Sequence, residues 1–76
     1  MTLQDFVANF AAQFDETDVS AFNPETKFHD LDEWSSLLAL SIIAMVDDEY
    51  DFKLKGNDIR DSVTIEDIFK IVNAAS

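Results

Sequence analysis

The spacing of the apolar residues near the start of the chain limits the fold more than any other feature. Leu3, Phe6, Val7, Phe10, Ala11 and Phe14 fall at offsets 0, 3, 4, 7, 8 and 11. That pattern lines one face of an α-helix; a strand would send alternate side chains to opposite faces. Thr2 stands where a helix cap belongs. The rest of the chain has to supply surfaces that cover this stripe, and no later segment alternates with the period of a strand. Residues 37–46 are rich in Leu, Ile, Ala and Met and lack Gly and Pro, and Ser35 or Ser36 can cap the first turn, so a second helix is predicted from about Ser36 to Asp51. Its expected core stripe is Ala39, Ile42, Ile43, Val46 and Tyr50, with Ser36, Leu40, Ala44 and Asp47 forming a second line further round. Residues 57–61, after Gly56, predict one short helical turn anchored by Ile59. Thr64 with Asp67 three residues on reads as a capping box, and Val63 with Ile68 as a hydrophobic staple. Ile65, Ile68, Phe69 and Val72 then continue a last helix. The expected fold class is all-α: a small bundle of three main helices plus one short helix, a single domain over residues 1–76.

Residues 15–34 hold no sustained period, and Asp15, Glu16, Asp18, Asn23 and Pro24 mark them as a long loop. Val19, Phe22, Phe28, Leu31 and Trp34 are its expected anchors to the core. Loops longer than about 12 to 15 residues are uncommon in compact domains and are often functional.

The charge narrows the partners. Sixteen acidic against five basic residues give a net charge of −11, yet seven Phe and one Trp argue against a disordered acidic chain. Such a surface repels nucleic acid and anionic membranes and attracts partners rich in Arg and Lys. Self-repulsion should cost stability at low salt. No apolar run approaches the roughly 18 residues of a membrane span, and no basic leader precedes one. A cytoplasmic monomer is expected, with the absence of Cys fitting a reducing compartment.

Catalytic chemistry is thinly supplied. One His, no Cys and one Gly leave little from which to build a nucleophile with its base or a phosphate-cradling loop. His29 beside Asp30 reads as a solvated loop histidine, and a small hydrolase is disfavoured. The acidic groups Asp30 and Asp32, or Asp47, Asp48, Glu49 and Asp51, lack the glycine and terminal glutamate of a calcium loop and read as solvated surface.

The stretch Asp30-Leu31-Asp32-Glu33-Trp34-Ser35-Ser36-Leu37, followed by an apolar helix and the cluster Asp47-Asp48-Glu49-Tyr50-Asp51, resembles the attachment region of acyl carrier proteins. That family carries Asp-Ser-Leu at the start of its second helix; Ser36 and Leu37 match the last two residues, and Ser35 replaces the aspartate. The order of amphipathic helix, long loop, serine, second helix, short third and capped fourth extends the resemblance over essentially the whole chain. It implies a non-catalytic carrier, with 4′-phosphopantetheine from coenzyme A attached to Ser36 and acyl or related groups held on its thiol. The setting would be fatty-acid, polyketide-like or other secondary-metabolite biosynthesis. Implied partners are a phosphopantetheinyl transferase and acyl-transferring and synthase enzymes with basic docking patches. Expected recognition residues are Leu37, Leu40 and Ala44 as an apolar strip and Asp47, Asp48 and Asp51 as steering charges. Leu38 and Ser41 stand where typical fatty-acid carriers often have carboxylates, which favours a specialised pathway. The competing reading is an unmodified acidic helical module that binds a basic protein, with Ser35 and Ser36 serving only as a cap.

Overall fold

The computed structural model describes residues 2–75. Four α-helices follow one another: α1 (Leu3–Ala11), α2 (Ser36–Tyr50), α3 (Gly56–Asp61) and α4 (Ile65–Ala74). Two single 3₁₀ turns, Val19–Ala21 and Phe28–Asp30, interrupt the long loop. No strand occurs among the described residues; a lone antiparallel bridge joins Lys27 to Thr64. The all-α bundle with one short helix matches the sequence expectation. No helix among the described residues is long and apolar enough to cross a membrane.

The helix ends form where the local chemistry places them. Thr2 Oγ1 accepts the Asp5 N–H at 3.1 Å and starts α1. At α4, Thr64 Oγ1 accepts the Asp67 N–H at 3.2 Å. The Asp67 carboxylate in return accepts the N–H groups of Val63 and Thr64, both at 3.0 Å, completing the capping box. Two further α4 donors are met from outside: Ile65 N–H reaches Thr26 O at 3.2 Å and Glu66 N–H reaches Pro24 O at 3.0 Å. Loop carbonyls thus satisfy the helix's otherwise orphaned first-turn donors and hold the loop against α4. Val63 stays exposed, so the staple with Ile68 adds little burial.

One apolar cluster joins all four helices and the loop. Phe6, Phe10, Ile42, Val46, Ile65 and Ile68 are completely buried within it. Phe10 is the centre of an aromatic group, its ring centroid 5.6 Å from Phe28, 5.8 Å from Phe14 and 6.5 Å from both Phe22 and Trp34. Such ring pairs add roughly 0.5–1.5 kcal/mol beyond area burial. Phe14 lies past the end of α1 but remains buried, because the turn closed by its N–H to Ala11 O at 3.0 Å keeps it under the bundle.

Two expectations about burial are corrected. Val19 is 70 % exposed and anchors nothing; Asp18 caps its turn by accepting the Ser20 N–H at 3.0 Å, and the turn stands off the core. On α2 the buried residues are Leu38, Ile42, Met45 and Val46, whereas Ala39, Ile43 and Tyr50 lie at the margins, half-buried. A helix apolar on most sides has no periodicity strong enough to select its inner face; contacts with α1 and α3 make that selection.

Candidate functional site

The paired serines at the start of α2 are not equivalent. Ser35 is extended (φ −157°, ψ 171°) and is the N-cap, its Oγ accepting the Leu38 N–H at 3.3 Å. Ser36 is the first helical residue and is exposed. Its hydroxyl has no hydrogen-bond partner among the described residues. One serine is therefore occupied in building the helix end, and the next presents a free hydroxyl.

The segment leading to them is held by Glu33. Its carboxylate accepts the Asp15 N–H at 2.9 Å, the Glu16 N–H at 3.0 Å and the Thr17 hydroxyl at 2.8 Å. The Asp15 N–H, foremost, holds this carboxyl below the usual range; desolvation opposes it, and the Thr17 and Glu16 donors reinforce it. Glu33 ties the beginning of the long loop to its end, two residues before Ser35. The sequence placed Glu33 in the attachment motif but gave no sign of its partners 16 to 18 residues upstream.

Ser36 opens onto a depression of about 390 Å³ between the start of α2, the end of the loop and α3. Trp34, Ala39 and Ile59 give it apolar walls, and His29 and Arg60 also line it. The His29 ring stands edge-on to Trp34 with centroids 5.6 Å apart and lies 4.3 Å from the Phe28 ring. The Arg60 guanidinium donates to Asn57 Oδ1 from the same short helix. Sequence reasoning missed Trp34, Ile59 and Arg60 as neighbours of Ser36; His29, expected as a solvated loop histidine, is exposed in its loop turn and lines the same depression. A larger depression of about 600 Å³, lined by Glu16, Thr17, Asp18, Asp30, Leu31, Asp32 and Glu33, does not include Ser36.

The expected recognition residues separate into groups. Leu37 and Leu40 are 72 % and 62 % exposed and, with exposed Ala44, follow one outward line along α2. Leu38, at a position where the resemblance suggests a carboxylate, is instead in the core. Asp48 and Asp51 are exposed. Asp47 is paired with Lys53, carboxylate to ammonium at 2.8 Å, and the hydrogen bond to Asp47 raises the Lys53 pKa above its usual value. Asp51 ends the helix in the left-handed region at φ 53°, a conformation that Asp tolerates better than most side chains.

Comparison with known protein families, curated proteins and solved structures finds no match to this chain. Its functional reading rests on the residues themselves.

Proposed function

We propose that this chain is a carrier protein of the phosphopantetheine type, with Ser36 as the attachment residue. The observation that carries the proposal is the division of labour between the two serines: Ser35 caps α2, and Ser36 offers an exposed, unengaged hydroxyl beside a groove. The residues fit the group. A phosphodiester on Ser36 would sit in the first turn of α2, where unpaired N–H groups and the helix dipole favour negative charge by about 0.3–1 kcal/mol. When bound, the prosthetic group would supply a terminal thiol on which acyl or related groups are held as thioesters.

The chain's own part is presentation and recognition. Leu37, Leu40 and Ala44 form an apolar strip adjoining Ser36, with Asp48 further along the same helix and Asp51 at its C-cap. Asp47, ion-paired with Lys53, contributes less. In a chain of net charge −11, this combination suits brief, charge-steered docking to partners with basic rims and apolar centres. The modifying transferase would be one partner, and acyl-transferring and synthase enzymes the others, in fatty-acid, polyketide-like or other secondary-metabolite assembly.

The chain has no cysteine, so any thiol that appears on it must come from the arm. Incubation with coenzyme A and a broad-specificity phosphopantetheinyl transferase, followed by desalting and thiol titration, should give one reactive thiol per chain in the wild type and none in a folded Ser36→Ala variant. Absence of the thiol with several transferases would leave an unmodified acidic interaction module as the better account.

A further inference from the structure

The loop that leads to Ser36 is fastened in two different ways. Its middle is docked on α4, where Thr26 O accepts the Ile65 N–H at 3.2 Å and Pro24 O the Glu66 N–H at 3.0 Å. Its two ends meet each other. Toward the core, the Phe14 and Trp34 rings stack with centroids 6.3 Å apart. Nearer the surface, the residues next to them are joined by Glu33: its Oε2 accepts the Asp15 N–H, and its Oε1 accepts the Glu16 N–H and the Thr17 hydroxyl. No other hydrogen bond among the described residues joins residues 15–20 to residues 28–34. Glu16, Asp18, Asp30 and Asp32 line the same depression as Glu33. Yet Asp18 caps only its own turn, and the other three carboxylates accept no hydrogen bond among the described residues. Glu33 therefore differs from the solvated acids around it. A glutamine in its place could accept on one oxygen only and would turn amide donors toward the remaining N–H groups.

We infer that Glu33 is a positioning residue for Ser36: by closing the loop on itself, its carboxylate fixes the direction from which residues 31–34 enter α2, and so seats the Ser35 cap and keeps the Ser36 hydroxyl turned outward. The inference rests on the carrier reading and deepens it, since it says what prepares the attachment residue. The path from Glu33 to Ser36 is short. Trp34 N–H donates to Leu31 O at 3.0 Å and closes a turn around Glu33. Ser35 follows in an extended conformation, and its bond to the Leu38 N–H is long, at 3.3 Å, with no reciprocal bond. A cap of this kind depends on the segment that enters it being held from elsewhere. In α4 the Asp67 carboxylate binds back to the cap itself; in α2 Glu33 holds the entering segment from two residues upstream. The donors on Glu33, Asp15 N–H foremost, favour its ionised form, so the latch is closed at neutral pH. Without it the ring contacts still hold the loop to the core, and what is lost is the fixed entry to α2.

The test combines amide hydrogen exchange on the unmodified protein with the kinetics of loading by coenzyme A and transferase. Glu33→Gln and Glu33→Ala should speed exchange at Asp15 and Glu16 about tenfold more than at Ile68 in α4, with a smaller gain at Leu38, the amide that Ser35 holds. The transferase kcat on Ser36 should fall about tenfold with KM little changed, because the outer line of α2 is intact. Thr17→Val is a milder change that keeps the test open if the Glu33 variants fold poorly. It should slow loading about threefold in the wild type and add nothing in the Glu33→Gln background. Asp32→Asn, which removes a neighbouring charge outside the latch, should leave both measurements unchanged. Equal acceleration at Ile68, an unchanged kcat, or the same loss in Asp32→Asn would overturn the positioning role and leave the carrier reading intact. Failure of the wild type to load with any transferase would overturn both.

Discussion

Helices α2 and α4 draw on the same apolar residue types but use them differently. In α4 the residues Ile65, Ile68 and Val72 are buried, the polar ones face out, and the N-terminus is closed by a reciprocal Thr64–Asp67 cap with two further bonds from the loop. In α2 the buried set Leu38, Ile42, Met45 and Val46 is matched by exposed Leu37, Leu40 and Ala44. An amphipathic helix fully spent on its core has only a structural task. A helix with apolar residues left over on its solvent side keeps surface in reserve, and here that surface adjoins the free serine.

The largest effect expected from this contrast is in the cores of the two helices. Ile68→Ala and Leu38→Ala should each lower unfolding free energy by about 2–5 kcal/mol in urea denaturation; a loss below about 1 kcal/mol at Leu38 would return it to the surface. On the outer line, Leu37→Ala and Leu40→Ala should change stability by no more than about 0.5 kcal/mol, while slowing acyl transfer by partner enzymes. If either costs several kcal/mol, the strip belongs to the core and the contrast fails. Removal of the α4 cap by Thr64→Ala should cost about 0.5–2 kcal/mol. This is more than Ser35→Ala should cost at α2, where the cap is one-sided.

The Asp67 carboxyl also sets a pH dependence. The Thr64 and Val63 N–H groups hold its pKa below the ordinary carboxylate value. A pKa lowered by folding contributes stability that is fully present above the unfolded value near 3.8 and is lost as pH falls through the folded value. Acid unfolding of the wild type should accordingly steepen below about pH 4, and Asp67→Asn should flatten that part of the curve. An unchanged profile would remove Asp67 from the account of α4. The smallest effect concerns the whole surface: the melting temperature should rise with moderate salt at neutral pH as the net charge of −11 is screened. A flat response would show that the repulsion is negligible.

What was legible in the sequence follows from how local each signal is. Caps and sharp periodicity depend on residues three or four apart, so Thr2, Thr64 with Asp67, and the faces of α1 and α4 were readable directly. The inner face of α2 was not, since Leu, Ile, Ala and Met surround most of it and only packing against α1 and α3 chooses among them. The anchoring of the loop was readable for Phe22 and Phe28, large residues with nowhere else to go, but not for Val19, turned outward by its capped turn. At the site, Ser36 is a candidate from the Ser-Leu pair together with the order of helices along the whole chain. Glu33's ties to Asp15, Glu16 and Thr17 and the meeting of His29, Trp34, Ile59 and Arg60 depend on residues up to 31 apart, which no local pattern encodes.

The central claim is that Ser36, and not Ser35, is the residue that α2 offers for modification. Intact mass followed by peptide mapping after incubation with coenzyme A and transferase tests it most directly, on the wild type and on Ser35→Ala and Ser36→Ala variants. One phosphopantetheine on Ser36, retained in Ser35→Ala and absent from Ser36→Ala, is the predicted result. Modification on Ser35, or none with several transferases, would contradict it.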